Sequence, residues 1–170
     1  MQTAEIKLYS PGYGELKTYL LASLFVVGNI IMPQLIHLIP GGGLVWLPIY
    51  FFTLVGAYKY GTKVGLLTAV ASPVVNSLLF GMPALAMVGV IMMKSVVLAL
   101  VAGVMAARFQ KATLLHLLLV VVAYQILGGL GEWALTGSLS SALRDFRIGF
   151  PGMLLQIFGG WAVINYLIKN

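Results

Sequence analysis

The chain is predicted to be an all-α integral membrane protein with six transmembrane helices, and three observations lead there. Of its 170 residues, 61% are hydrophobic and 8% are charged, more apolar surface than so short a chain can enclose in a polar shell. The apolar residues fall into six runs of roughly 14 to 24 residues, and about 20 suffice for a helix to cross a hydrocarbon core. Glycine and proline stand between and inside these runs, marking where helices stop or are interrupted. Because backbone polar groups in lipid must be satisfied within their own segment, helices are the structure such runs adopt.

The first helix is expected from Tyr19 to Ile39, ending before Pro40 and the run Gly41, Gly42, Gly43. Residues 1–18 are polar and carry Glu5 and Glu15 where a secretory signal would carry cations, so they read as a cytosolic lead-in to a single domain spanning residues 1–170. The second helix, Val45 to Tyr58, is short for a span, and the third, Thr62 to Phe80, holds Pro73 at its middle. With Pro33 in the first, the opening half reads as kinked or broken helices, which lipid tolerates where neighbours or a cavity satisfy the freed carbonyls. Ala84 to Ala107, Thr113 to Leu130 and Phe150 to Ile168 supply three more regular helices. Between the fifth and sixth, "EWALTGSLSSALRDFRIGFPG" from Glu132 to Gly152 is too long and too amphipathic for a simple turn.

Six passes put both termini on one side. Lys7, Lys17, Lys59, Lys63, Arg108, Lys111 and Lys169 then share that side, against Arg144 and Arg147 opposite, with Lys94 inside a helix. Cytoplasmic loops collect such cations, so both termini are expected in the cytosol of a bacterial inner membrane. The outer face carries the Gly41 loop, the turn from Gly81 to Pro83 and the loop after Glu132. The net charge of +6 follows from this bias; it gives no support to nucleic-acid binding and makes acidic lipid headgroups the neighbours of the basic ends.

Catalysis has few tools here. There is no cysteine, and two histidines with four acids leave little for a metal cluster. No His-Glu, Asp-Asp or Gly-x-Ser-x-Gly arrangement exists, and no G-x-x-x-x-G-K-[ST] for nucleotide. The chain reads as a non-enzyme without a cofactor.

The polar residues inside the runs are the candidates for solute contact. Lys94 lies about ten residues into the fourth helix, near 15 Å deep at 1.5 Å per residue, where an ammonium costs about 3 kcal/mol. Three roles are open to it: contact with an anionic solute, a pair with Glu132 at the end of the fifth helix, or snorkelling toward the interface. Asn76, Gln125 and Gln156 are amides on the third, fifth and sixth helices, suited either to a polar ligand in one cavity or to bonds between helices. Trp46, Trp133 and Tyr124 fit stacking on a planar ring, or an aromatic belt at the interface. His37, near the outer end of the first helix, is a ligand candidate or a satisfied structural histidine, and His116 reads as structural. Arg144 and Arg147 flank Asp145, either as a local ion pair or as a mouth for an anion.

The stretch from Gly41 to Gly103 carries a resemblance to a known family. A Gly-rich outer loop leads into the Leu-Pro helix "LPIYFFTLVGAYKYG", a Tyr60-Gly61 turn, a "VGLL" helix from Val64 to Leu67 and an outer "SLLFGMP" corner from Ser77 to Pro83. This order resembles the substrate-binding S components of energy-coupling-factor vitamin transporters. The resemblance implies high-affinity capture of a vitamin or related small micronutrient, here probed by a lysine that favours an anion. It also implies docking on a transmembrane coupling subunit driven by two ATPase subunits. The first helix departs from the family pattern, since Ala22, Ser23 and Gly28 lack the small-xxx-small spacing that lets backbones approach closely. The competing reading is a self-sufficient small secondary transporter or channel, although the two halves show no inverted repeat.

Overall fold

Helix α1 runs from Leu16 to Ile36. Its buried positions Thr18, Ala22, Phe25, Asn29 and Pro33 recur every three or four residues, so one face packs inward. Leu16, Leu20, Leu24, Ile31 and Leu35 are exposed on the other, an apolar stripe that only lipid solvates favourably. The structure is a computed structural model describing residues 10–168, so the expectations for Glu5, Lys7 and Lys169 concern residues outside the described ones.

The second apolar run does not form one helix. It divides into α2 (Gly42–Trp46), a 3-10 turn (Pro48–Tyr50) and α3 (Phe51–Tyr60). The break falls at Leu47, which takes the left-handed conformation at φ 46° immediately before Pro48. A leucine there costs roughly 1–2 kcal/mol and is held by packing: side chains added at Gly149 or Gly152 would collide with it. The expected single helix from Val45 to Tyr58 is thus corrected. Below the break, α3 is buried nearly all round, from Phe51 through Lys59. It is the central post of the fold, packed by α1 and by α4 (Thr62–Phe80) and α5 (Leu85–Phe109).

Of the opening half, expected to be kinked or broken, the second run is the one that breaks; α1 and α4 continue through Pro33 and Pro73. A proline lacks the N–H that would bond the carbonyl four residues earlier, which at Pro33 is that of Asn29. Asn76 on α4 donates its amide N–H to that carbonyl at 2.9 Å, so a neighbouring helix repairs the gap.

Helix α6 (Leu114–Thr136) extends six residues past the expected Leu130 and so carries Glu132 and Trp133 within it rather than in the following loop. Thr113 caps its start by accepting from the His116 N–H at 3.2 Å. The connection after it is ordered as two short helices, α7 (Leu139–Ala142) and α8 (Arg144–Arg147). The last helix, α9 (Phe150–Leu167), widens into π-type turns at Leu155–Gly159 and Val163–Leu167.

Five helices (α1, α4, α5, α6 and α9) are long and apolar enough to cross a membrane. The described residues are otherwise helical, turn or loop, without strands. The bundle has two unlike ends. At one, Lys17, Lys59, Lys63, Arg108 and Lys111 gather near the helix termini. There Tyr58 Oη donates to the Lys111 carbonyl at 2.6 Å, and Asn165 Nδ2 donates to that of Ala112 at 3.1 Å. At the other end lie the exit of α1, α2, the α4–α5 corner and the short helices α7 and α8.

Candidate functional site: a polar cleft at one end of the bundle

Lys94 is 2% exposed on α5, and its ammonium is held by two carboxylates. Glu132 on α6 is one, in direct contact; Asp145 on α8, with Oδ2 at 2.8 Å from Nζ, is the other. Pairing with Glu132 is one of the three roles the sequence leaves open for this lysine. The sequence sets Asp145 between Arg144 and Arg147, as a local ion pair or at the mouth for an anion; in the structure the ordered connection folds back and brings it to Lys94, 51 residues away. The reason is electrostatic. An ammonium this deep needs neutralisation, and breaking one partner from a buried pair costs roughly 3–5 kcal/mol. Two acids on one lysine leave a net charge of −1 on the triad.

Above the triad is a cavity of about 100 Å³, bounded by Leu47, Tyr50, Val90, Ser141 and Arg144 together with the three charged residues. Beside it lies a second of about 330 Å³, bounded by Pro33, His37, Pro48, Asn76, Met82 and Pro83. Gly43, Leu44, Ile49, Met87, Ile91 and Arg144 line both, so the two form one cleft, charged at one side and mostly apolar at the other. A cavity of about 150 Å³ holds benzene, so there is room for a ring-sized body. Glycine at position 43 matters to this shape: a Cβ there would press on the His37 ring.

Arg144 is the cation shared by both parts of the cleft, and it is half-buried. Its Nη2 lies 3.5 Å from Ser141 Oγ, a long contact, and among the described residues no carboxylate pairs with it within 4.0 Å. The Lys94–Asp145 pair anchors the residue next to it and thereby keeps the guanidinium over the cleft.

Asn76 is pinned by its nitrogen. Nδ2 donates to the carbonyls of Asn29 and Ser72, both at 2.9 Å, and carbonyls only accept, which identifies the nitrogen arm. Its Oδ1 finds no partner among the described residues although the side chain is buried. His37 is oriented in the same way: Nδ1 sits 2.7 Å from the Pro33 carbonyl, so in the neutral ring Nδ1 carries the proton and Nε2 is an acceptor.

The remaining predicted contacts lie elsewhere. Gln125 Nε2 donates to Tyr124 Oη at 3.1 Å and that hydroxyl donates to Gln156 Oε1 at 2.9 Å, a buried network between α6 and α9. Tyr50 stands between it and the cleft, its ring 5.8 Å from that of Tyr124. The expectation that Asn76, Gln125 and Gln156 meet in one cavity is therefore corrected: only Asn76 lines the cleft. Trp133 is 47% exposed and bounds a separate apolar hollow of about 170 Å³ against α7 and α8, because one residue beyond Glu132 faces away from it. Trp46 packs its backbone on Gly152 and does not line the cleft. Tyr50 and Asp145 were missed as site residues. The signal for Asp145 was present in the unbalanced charge of Lys94.

Fold and cleft together define an all-helical chain with several helices of membrane-crossing proportions and a polar cleft at one end. Compared with protein-family models, with curated proteins and with solved structures, the chain matches none.

Proposed function

We propose that this chain is a membrane-embedded binding protein for a small vitamin-like solute, acting as the S component of an energy-coupling-factor transporter. In this reading the chain crosses the bacterial cell membrane six times, α3 with its preceding turn serving as the second pass inside a shell of longer helices. The basic end lies in the cytosol, in keeping with the cation bias, and the cleft opens outside. The solute is anionic, and its acid group binds Arg144 rather than Lys94, whose charge is already spent on Glu132 and Asp145. Transport energy comes from a coupling subunit and two ATPases; this chain supplies capture.

One observation carries the proposal: a ring-sized cleft built where the backbone breaks at Leu47, lined by Arg144, a cation that among the described residues pairs with no carboxylate within 4.0 Å. Deep apolar walls with a few convergent polar groups are the usual make-up of a small-molecule site. The test is mass spectrometry of small molecules retained by the detergent-purified chain after expression in rich medium. Wild type should retain an anionic solute and Arg144→Gln should lose it. Equal retention by both, or uphill uptake by the chain alone in vesicles with an ion gradient, refutes the proposal.

A further inference from the structure

The cleft has a second polar end that the acid-binding role of Arg144 leaves unexplained. Asn76 Oδ1 is an acceptor without a partner among the described residues, on a side chain 1% exposed that lines the larger cavity. Its orientation is imposed from outside the cleft: Pro33 deprives the Asn29 carbonyl of its helical partner, and the Asn76 nitrogen takes that place. The amide cannot turn over without leaving the Asn29 carbonyl unbonded. His37, an exposed residue, lines the same cavity and is likewise oriented by the Pro33 carbonyl, so that in the neutral ring its Nε2 is an acceptor. Both atoms ask for a donor. A buried acceptor left unmatched is costly, so a complementary solute fills this end with N–H or O–H.

Charge is compatible with this. Lys94, Arg144, Glu132 and Asp145 sum to zero, 2 − 2, so beyond the acid held by Arg144 the cleft offers no surplus cation for a second anionic group, and the far end of the solute is uncharged. We infer that the occupant is a ring-containing acid with a hydrogen-bond-donating nitrogen at the end remote from its acid, the acid on Arg144 and the donor on Asn76 and His37. This rests on the cleft being the solute site proposed above.

Binding of two matched pairs to the full-length chain in detergent, followed by calorimetry, tests it. The pairs are 4-aminobenzoate with 4-(dimethylamino)benzoate, and 3-(4-aminophenyl)propionate with its dimethylamino counterpart, in which methylation removes the donor and keeps the ring and acid. At least one amino acid probe should bind wild type at least about tenfold more tightly than its dimethylated partner. That ratio should collapse to within about threefold in Asn76→Leu, and fall in His37→Phe, while Arg144→Gln weakens both members of a pair alike. Because each ratio is taken within one variant, a change in stability does not move it, and the melting point of the unliganded variants monitors folding. Pairs that bind equally in wild type, or an unchanged ratio in Asn76→Leu, overturn the donor assignment while leaving the cleft as the solute site. No binding by any probe, with wild type and Arg144→Gln alike, overturns both.

Discussion

At the basic end Gly65 and Gly103 bring helix backbones together, whereas at the cleft end the helices are held apart by charged and polar side chains. A methyl group at Gly65 would come within 2.8 Å of the Ala57 Cα, and one at Gly103 within 3.0 Å of that of Thr62. Ala99, Ala102 and Ala106 continue this close packing along α5, all 0–1% exposed. In lipid, helices gain little from burying apolar surface, so close contact between small residues has to hold them. Across the cleft, cohesion comes from the Lys94 triad, from Asn76 on α4 reaching α1, and from the strained turn at Leu47. One end is therefore close-packed and the other is polar and hollow. On the proposed reading, this division lets the chain stay folded while admitting a solute.

The contrast is open to attack at several points. Lys94→Met should do most damage, because it leaves Glu132 and Asp145 facing each other without a cation. Reversible unfolding in mixed micelles should show a loss of about 3–5 kcal/mol. Adding Glu132→Gln and Asp145→Asn should restore most of it, as coupled neighbours do. A single-variant loss below about 1 kcal/mol means that the cleft end is not held by its charges. Gly65→Val comes next, with about 1–3 kcal/mol lost in the same assay by forcing α3 from α4; a neutral result contradicts backbone contact at the packed end. Thr113→Ala removes the cap of α6 and should cost about 1 kcal/mol. Smallest is Gly89→Ala on α5 at the cleft end, where a Cβ meets nothing within 4 Å. It should raise stability slightly, by about 0.5 kcal/mol, through reduced backbone freedom, and a loss instead would mean that this end is packed too.

How much of this was legible beforehand varies by element. The bounds Thr62 to Phe80 agree with α4 because Gly61 and Gly81, both with positive φ, punctuate it at each end. The break at Leu47 was not legible. Leucine rarely takes a left-handed conformation, and what holds it there is Gly149 and Gly152, about a hundred residues away in sequence. Helix α6 was ended too early because Gly128, Gly129 and Gly131 look like a stop, yet they admit neighbours: the Lys94 side chain at Gly128 and Met93 at Gly131. Within the site, Lys94, Asn76 and His37 were identified as unusual polar residues in apolar runs. Gln125, Gln156, Trp46 and Trp133 were equally unusual, and the fold turned them elsewhere.

The sequence by itself determined that the chain is helical, that it suits lipid, where most helices lie and that Lys94 needs an answer to its charge. These follow from composition and from local periodicity, which act residue by residue along the chain. The tertiary structure alone decided that the answer comes from two acids, that Arg144 is thereby left over the cleft, and that Asn76 is bound through its nitrogen. Each of those depends on which helices become neighbours. The Asn76 orientation is the clearest case: it requires a proline on α1, a carbonyl four residues before it and an amide 47 positions further on to meet at one point, and only the packed bundle brings them together.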